Sequence, residues 1–210
     1  MDSTLGTKKQ QAPGERNSSR RDAREKILTA AYGLFASNGV VQVGIDTVIA
    51  KSGCAKASLY NQFGSKEGLA IAFLDRREEL WTRAWLEAEI LRRGDTPEDR
   101  LLAVFDIFDE WFSREDFEGC SFINVLLESK PGSLINRAAS AHLRKIRGIL
   151  HKQATDAGLA DVERFTRLWH MLMKGAIVCA LEGNRQAARD ARAGAAILLS
   201  CWSRIQSAAH

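Results

Sequence analysis

The chain lacks the features that mark membrane-embedded and secreted proteins. None of its 210 residues falls in a run of about 18 apolar side chains, the length that a membrane-spanning helix needs. The N-terminal stretch MDSTLGTKKQQAPGERNSSRRD contains no apolar segment of the kind found in a secretion signal. These absences predict a cytoplasmic protein that has no membrane partner.

Cysteine is scarce and scattered. The four cysteines are Cys54, Cys120, Cys179 and Cys201, and no two of them form a C-x-x-C pair. A structural zinc site or a disulfide framework needs closer spacing, so the sequence predicts no metal and no cofactor. The four thiols are interpreted as mostly buried small hydrophobes, with a redox-sensing thiol as the alternative.

Side chains that carry acid-base or nucleophilic catalysis are not grouped. The four histidines are spread over the chain at His142, His151, His170 and His210. Neither an H-x-x-E-H spacing nor a G-x-S-x-G elbow occurs. No catalytic residue is therefore predicted, and a binding protein is favoured over an enzyme.

Net positive charge is concentrated near the N-terminus. The formal net charge is +4, and residues 16–76 contain nine Lys and Arg against five Asp and Glu, a difference of +4. The rest of the chain carries equal numbers of both signs. A localised excess of this kind suits a polyanionic partner, although a basic surface without a partner would give the same total.

Apolar periodicity predicts an all-α fold of about nine helices, with no convincing alternating strand. Glycines at 39, 53 and 64 are read as helix ends, and the Thr96-Pro97 pair as a helix start. Residues 1–20 are predicted to be a disordered tail, 21–68 a helix-turn-helix domain and 69–210 a regulatory and dimerisation domain. The predicted helices are 22–38, 46–52, 55–63, 65–93, 97–112, 120–127, 134–157, 161–182 and 188–207.

The stretch IDTVIAKSGCAKASLYNQFGSKEGL, residues 45–69, contains two helices too short to be stable alone. Two short helices joined at a glycine are typical of a helix-turn-helix. On the second helix Ala55, Leu59 and Phe63 share one apolar face, so the opposite, polar face is expected to meet DNA. Asn and Gln can read an adenine edge, Lys can reach guanine or phosphate, and Tyr can hold a phosphate. The polar face comprises Lys56, Ala57, Tyr60 and Asn61, with Ser58 and Gln62 at its margins.

Residues 22–74 resemble the DNA-binding domain of the TetR/AcrR family of transcriptional regulators. The resemblance rests on the ordered motifs ILTAAYGLFASNG, IDTVIAKSGCAKASLYNQF and SKEGL, at residues 27–39, 45–63 and 65–69. The segment GCSFINVLLE, residues 119–128, is similar to part of the family's all-helical regulatory domain. The resemblance implies a homodimeric transcription factor that responds to a small molecule.

The same resemblance assigns roles to individual residues of the DNA-binding domain. It implies recognition-helix contacts from Lys56, Ser58, Tyr60 and Asn61. Gly44 and Ala55 stand where the family often has a hydroxyl side chain, so one or two common phosphate contacts are missing here. The full set of predicted DNA-binding residues is Gly44, Lys56, Ala57, Ser58, Tyr60, Asn61, Gln62 and Lys66, the last as a phosphate contact.

Large aromatic side chains fill the C-terminal two-thirds of the chain. Each taken alone is more simply a core residue, but the resemblance implies an effector pocket between the fourth helix and helices five to eight. Asn124, inside the apolar run FINVLL, is interpreted either as a satisfied core amide or as a polar group of that pocket. The predicted ligand-binding residues are Trp81, Trp85, Phe108, Trp111, Phe112, Phe122, Asn124, Trp169 and Met173.

Small side chains alternate with large apolar ones in the last two predicted helices. These helices are too apolar to be covered from one side, so we expect them to pair with the same helices of a second copy in a four-helix bundle. The predicted dimer-interface residues are Leu172, Ala176, Ala180, Ala195, Leu198 and Trp202.

The leading hypothesis is a repressor that a small hydrophobic or aromatic effector releases from a palindromic double-stranded DNA operator. An activator and a ligand-blind architectural DNA binder are alternatives. A different alternative is an all-α small-molecule-binding protein or enzyme with a vestigial DNA-binding domain. The presence of Lys56, Tyr60 and Lys66 argues against a vestigial domain, and the lack of paired catalytic groups argues against an enzyme.

Overall fold

A computed structural model describes residues 13–205, with side chains described from residue 20. Over this range the predicted all-α fold is confirmed, and an isolated antiparallel bridge between Leu159 and Arg204 is the only extended pairing found there. No helix in this part of the chain combines the length and apolar character that crossing a bilayer requires. The helices are α1 (Pro13–Asn38), α2 (Ile45–Ser52), α3 (Lys56–Phe63), α4 (three consecutive segments, Lys66–Arg77, Glu78–Glu87 and Ala88–Arg93), α5 (Pro97–Phe112), α6 (Ser121–Glu128), α7 (Leu134–Asp156), α8 (Val162–Leu181) and α9 (Ala187–Cys201).

The first helix begins earlier than its apolar pattern predicts. It starts at Pro13 rather than at residue 22, and proline suits the first position of a helix because its missing N–H has no partner there. Residues 13–20 of the predicted disordered tail are therefore helical. The remainder of that predicted tail, residues 1–12, lies outside the described residues.

The last helix ends earlier than predicted. It stops at Cys201, and the Trp202 indole Nε1 donates to the Ala160 carbonyl oxygen at 2.6 Å. The chain then runs extended beside the start of α8, where the Ala160 N–H donates to the Ser203 carbonyl oxygen at 2.8 Å. The end of the predicted helix, at residues 206–207, lies outside the described range. Tertiary hydrogen bonds to the α7–α8 turn thus replace the last turns of the predicted helix.

One hydrophobic core runs through the N-terminal and C-terminal helices. Leu59 of α3, Phe73 of α4 and Phe105 of α5 are completely buried members of this core. The Phe73 ring packs edge-on against Tyr32 and Phe35 of α1, with ring centroids 5.5 and 5.7 Å apart. Helix α4 therefore belongs to both halves of the molecule, and any movement along it reaches α1.

The middle segment of α4, Glu78–Glu87, is π-helical. Such wider turns are rare in proteins, and those that do occur are often found at functional sites. At the start of the segment the Glu78 carboxylate is buried, and it accepts from Arg83 Nε at 2.8 Å and lies 3.3 Å from Lys145 Nζ on α7. The Arg83 hydrogen bond is the main reason that the pKa of Glu78 lies below its ordinary value, with Lys145 acting in the same direction. The carboxylate thus ties the π-helical segment to α7.

Gly68 permits the close approach of α4 to the end of α3. The Ser65 hydroxyl oxygen caps α4 by accepting from the Gly68 N–H at 3.0 Å, and a Cβ at Gly68 would overlap the carbonyl oxygen of Phe63. Backbone atoms cannot rotate away as a flexible side chain can. The tight α3–α4 turn therefore requires glycine at this position.

We expect Gly68→Ala to lower the free energy of unfolding by about 1–3 kcal/mol, the usual cost of forced overpacking. Gly148→Ala is the matched control, because a Cβ at this exposed position of α7 meets open space. Alanine there should raise the free energy of unfolding by about 0.5–1 kcal/mol through its better helix propensity. Urea unfolding of both variants measures the difference. Equal effects would show that the α3–α4 turn tolerates a side chain.

Candidate nucleic-acid interface

Helices α2 and α3 are joined by a turn that only glycine adopts readily. Gly53 has φ = +66°, in the left-handed region, and its N–H donates to the Ile49 carbonyl oxygen at 3.0 Å. Val48 of α2 and Leu59 of α3 are buried against α1 on the inner side of this pair. The pair is therefore fixed by its inner face, and the outer face of α3 projects away from the core.

The outer face of α3 presents polar groups over both of its turns. Lys56, Ala57, Tyr60 and Asn61 are exposed, and 45% of Tyr60 is accessible. Ser58 and Gln62, at the margins, are half-buried. The small Ala57 in the middle leaves room for the helix to lie deep in a groove. The helix is eight residues long, which suits insertion into the major groove of B-DNA.

Lys56 is held by an acidic side chain from the neighbouring helix. Its Nζ lies 2.8 Å from Asp46 Oδ1, and both side chains are largely exposed. The hydrogen bond to Asp46 raises the pKa of Lys56 above its ordinary value. An exposed pair of this kind contributes little to stability. DNA phosphates can therefore compete with Asp46 for this ammonium group.

Lys66 and Gly44, the two predicted residues outside α3, lie at helix starts. Lys66 is the first residue of α4 and is half-buried, with its Nζ donating to the Val41 carbonyl oxygen at 3.1 Å. Gly44 is the N-cap of α2 and offers no side-chain cap. Both residues thus border the α1–α2 connection, and the backbone N–H groups at the start of α2 are available to an anion.

A notch of about 460 Å³ separates α3 from the N-terminal half of α1. It is lined by Ser58, Asn61 and Gln62 of α3 and by Arg20 and Ala23 of α1. The Gln62 Nε2 donates to the Arg20 carbonyl oxygen at 3.3 Å. Arg20, an exposed residue of α1, is thereby placed beside the outer face of α3.

Three of the predicted ligand-binding residues form one cluster. The indole rings of Trp81, Trp85 and Trp111 have centroids 4.9 to 6.3 Å apart. They line a cavity of about 210 Å³ that we call the tryptophan recess. Its other lining residues come from α1, α4 and the α5–α6 connection, and no spacing in the sequence marks them. They are Tyr32, Arg77, Leu80, Arg114 and Asp116.

The other predicted ligand-binding residues do not join the recess. Phe112 is half-buried and faces a separate cavity of about 420 Å³. Asn124 is half-buried, and its Nδ2 donates to the Glu118 carbonyl oxygen at 3.4 Å, which favours the satisfied-amide interpretation. The remaining predicted side chains are apolar, but within the residues that the structure describes they are buried in the core and do not line a cavity that could hold a ligand. These core residues are Phe108, Phe122, Trp169 and Met173.

An apolar groove of about 660 Å³ runs between α8 and α9. Of the predicted dimer-interface residues, Leu172, Ala176 and Leu198 line it. Met171 in the groove and Ile197 beside it are 64% and 67% exposed. Apolar surface of this extent on a single chain typically marks a site of protein association. We call this surface, comprising the groove and Ile197, the α8–α9 face.

Three residues of the predicted dimer interface do not line the α8–α9 face. Ala195 is completely buried within its own chain, on a helix that packs against both α5 and α8. The ring of Trp202 packs against Phe165 of α8, with centroids 5.3 Å apart, so it too is occupied within the chain. Ala180 lines the cavity beside Phe112 rather than the α8–α9 face. The helical pattern identifies the helices but not the side that faces outward.

Two titratable side chains of the C-terminal helices, His170 and Cys120, are buried. His170 is buried on α8, and burial, followed by the nearby Lys174 and Arg147 charges, lowers its pKa to about 3. Burial raises the pKa of the Cys120 thiol, which disfavours the reactive thiolate form. Among residues 20–205, no group of His, Cys, Asp and Glu is arranged to hold a metal ion.

Comparison with known proteins identifies similar sequences and folds. Residues 27–73 match the family described as bacterial regulatory proteins, tetR family. The chain is 28% identical over 109 residues to an uncharacterised HTH-type transcriptional regulator of Lactococcus lactis, covering 51% of this chain and 55% of that protein, about half its length. A TetR-family transcriptional regulator from Streptomyces coelicolor has the same fold, with a TM-score of 0.77 and 24% identity over 91% of this chain and 96% of that one. Bacillus subtilis FadR, solved with stearoyl-CoA, has a TM-score of 0.65 and 16% identity over 84% of this chain and 97% of that one.

The Lys56–Asp46 pair leads to a test on mixed-sequence duplex DNA. We expect Asp46→Asn to tighten binding to DNA, because the change removes a negative charge and frees the Lys56 ammonium group to contact a phosphate. One added phosphate contact should steepen the dependence of log K on log salt by about 0.9. Glu79→Gln, on the exposed side of α4, removes the same charge away from α3 and is the control. Affinity that stays equal in Asp46→Asn and the control would contradict a DNA contact from Lys56.

Proposed function

We propose that this chain is a transcriptional regulator of the TetR family of bacterial regulatory proteins, whose family model matches residues 27–73. In this proposal it represses from an operator as a homodimer and is released by a small molecule. The observation that carries this proposal is the outer face of α3. Exposed hydrogen-bonding side chains project from this face, and the opposite face of the helix is buried against the core. An alternative reading as a carrier or enzyme leaves that face without a role.

The residues of α3 are suited to different parts of DNA recognition. The exposed Asn61 amide can accept and donate at an adenine edge, whereas the Tyr60 hydroxyl and the Lys56 and Lys66 ammonium groups can contact phosphates. Lys66 has to exchange its bond with the Val41 carbonyl oxygen for a phosphate or share it. Base reading and backbone holding are therefore assigned to separate side chains, and substitutions can separate them.

We expect Asn61→Ala to weaken binding to the operator by about 1–3 kcal/mol and to affect random DNA little. Tyr60→Phe and Lys66→Ala should weaken binding to both DNAs similarly, because phosphate contacts carry little sequence information. Gel shifts at near-physiological salt, with DNA flanking the protein's own gene, measure the wild type and the three variants. A wild type that retards neither DNA would favour a carrier, and equal losses on both DNAs for Asn61→Ala would remove its base-reading role.

The α8–α9 face supports a homodimer. Leu172 and Leu198 flank a central strip where Gly175 and Gly194 have open space above them, so backbones of a second copy could approach closely. Pairing α8 and α9 with their counterparts would give a four-helix bundle and cover the exposed apolar side chains. A two-fold dimer would place two α3 helices about 34–36 Å apart, or a multiple of that, on a palindromic operator.

Met171→Glu should convert the dimer to a monomer, because it places charges in the apolar centre of the interface. Leu127→Glu is the matched control, since Leu127 is 78% exposed on α6, away from the α8–α9 face. Sedimentation at several protein concentrations measures the mass of both variants and of the wild type. A Met171→Glu protein that stays dimeric would move the interface elsewhere, and a monomeric wild type would exclude the homodimer.

Several polar contacts connect the regulatory helices to the DNA-binding domain. Ser37 Oγ at the end of α1 donates to Glu118 Oε1 at 2.7 Å, and the Val41 N–H donates to Glu128 Oε2 at 3.5 Å. The Ile135 N–H, in the first turn of α7, donates to Glu67 Oε1 of α4 at 3.1 Å. Both ends of α6 and the start of α7 thereby hold the DNA-binding domain. A shift of α6 would therefore act on the end of α1 and on the α1–α2 connection, and α1 packs against both α2 and α3.

Release by an effector follows from the linkage of two binding equilibria. An effector that prefers the wrong spacing of the two α3 helices weakens operator binding, and the operator weakens effector binding by the same factor. Changing the ratio of the released conformation to the DNA-binding conformation from 1:99 to 99:1 requires an effector that binds the released one about 10⁴-fold more tightly. This preference corresponds to about 5.5 kcal/mol. FadR, which shares the fold, holds stearoyl-CoA, and this supports a ligand-responsive role for the helices that follow α3.

A further inference from the structure

The tryptophan recess lies where the DNA-binding domain meets the regulatory helices. Tyr32 belongs to α1, Trp81 and Trp85 to the π-helical segment of α4, and Trp111 to the last turn of α5. A molecule held there would touch both α1 and α4. The recess therefore differs from a pocket enclosed by regulatory helices alone, because its walls include the helix that supports α3.

The volume of the recess limits its occupant to a small molecule. Its 210 Å³ is below the roughly 300–1,000 Å³ typical of sites for drug-sized ligands. An apolar cavity of about 150 Å³ in another protein holds benzene. One aromatic ring with a small polar substituent therefore matches the volume of the recess.

The walls of the recess select a planar ring. Trp81 and Trp111 have centroids 4.9 Å apart and are tilted by 58°, and Trp85 meets Trp111 nearly edge-on at 67°. Rings in such mixed orientations offer both faces and edges to a further ring. An aromatic guest can therefore extend the cluster.

The charged lining gives the recess a net positive character. Arg77 and Arg114 face a single carboxylate, Asp116, so the lining carries one excess positive charge. Arg114 makes two hydrogen bonds to Asp116, both 2.7 Å, but the two side chains are 59% and 67% exposed and can exchange partners at little cost. Among the described residues, Arg77 makes one side-chain hydrogen bond, from Nη1 to the Tyr32 hydroxyl oxygen at 3.0 Å. The guanidinium groups can therefore bind an anion.

One wall group has an unmet hydrogen-bonding requirement. The Trp81 indole Nε1 is buried and has no acceptor in the described part of the chain. A buried donor without a partner is costly, so a displacement of the ring that brings Nε1 to an acceptor of a bound ligand lowers that cost. A second indole, that of Trp169, is also buried without an acceptor there. Trp169 lies in the closed core, however, and so provides an internal reference.

We propose that the tryptophan recess binds a planar, single-ring aromatic carboxylate, with the ring packed on the indole cluster and the carboxylate at Arg77 and Arg114. This rests on the proposed function in one respect, because it identifies the chemical class of the effector. The bound anion contacts Tyr32 of α1 and the π-helical segment of α4 together. It therefore changes the relative position of the two helices that place α3.

The probes for this proposal are benzoate, benzamide and benzamidine, which have nearly the same shape and charges of −1, 0 and +1. Calorimetric titration of the full chain without DNA, up to about 10 mM ligand, covers the weak affinities expected of small molecules. Benzoate should bind at least tenfold more tightly than benzamide, and benzamidine should not bind. Benzoate should also shift the Trp81 indole N–H resonance while the Trp169 resonance stays in place.

Substitutions separate the charge of the recess from its fold. Arg77→Met and Arg114→Met should each weaken benzoate binding at least tenfold and leave benzamide binding unchanged. Arg92→Met is the control, because Arg92 is an exposed arginine of α4 that pairs with Glu89 away from the recess. Arg114 lies in an exposed connection, so its substitution remains informative even where Arg77→Met lowers the melting temperature.

The outcomes distinguish this proposal from the proposed function. No benzoate binding, equal binding of benzoate and benzamide, or unchanged benzoate binding in both arginine variants would each overturn the aromatic-anion site. Gel shifts with operator DNA are read separately. Specific DNA binding without benzoate binding overturns this proposal alone, and benzoate binding by a protein that retards no DNA overturns the regulator and leaves the site.

Discussion

The structure depends on the burial of one side of the α2–α3 pair against α1 and α4. Two helices of eight residues each cannot be stable alone, because helix nucleation is costly and short helices gain few hydrogen bonds. Complete burial of a side chain such as Leu59 contributes about 1.5–3 kcal/mol. Val48, Leu69 and Phe73 add to the same interior. This packing orients the outer face of α3, so the candidate DNA-binding surface is a consequence of the core behind it.

The same packing connects that surface to the rest of the molecule. Phe73 of α4 is in the DNA-binding half of the core, and eight residues later Trp81 enters the recess. Glu118, just before α6, accepts from Ser37 of α1, and Glu128, at the end of α6, accepts from the Val41 N–H of the α1–α2 connection. Glu67 of α4 accepts from the Ile135 N–H of α7. Because a close-packed interior transmits displacement rather than absorbing it, movement at the recess cannot remain local.

The basic side chains near α3 are held by the protein itself before any DNA is bound. Lys56 is paired with Asp46, and Lys66 with the Val41 carbonyl oxygen. Such contacts position the ammonium groups and reduce the rotamer entropy that binding would cost. They also compete with phosphate, so the affinity of this surface depends on salt and on nearby acidic residues as well as on the count of positive charges.

Much of the fold and of the DNA-binding surface could be predicted from the sequence because both rest on local patterns. The 3.6-residue apolar period, the glycine turn at Gly53 and the N-cap at Ser65 specify helices and their ends, and the residues opposite Leu59 on α3 are exposed by helical geometry alone. The boundary at Cys201 could not be predicted from a local pattern, since it depends on hydrogen bonds between distant segments. The start at Pro13 was missed although proline is a local signal for a helix start, because the prediction followed the apolar period, which begins later. Ala195 was predicted at the dimer interface but is buried within its own chain. An apolar helix face does not show whether its own chain or a second copy covers it. The tryptophan recess joins side chains from four parts of the chain, and only tertiary packing brings Tyr32, Arg77 and Arg114 to the three indoles.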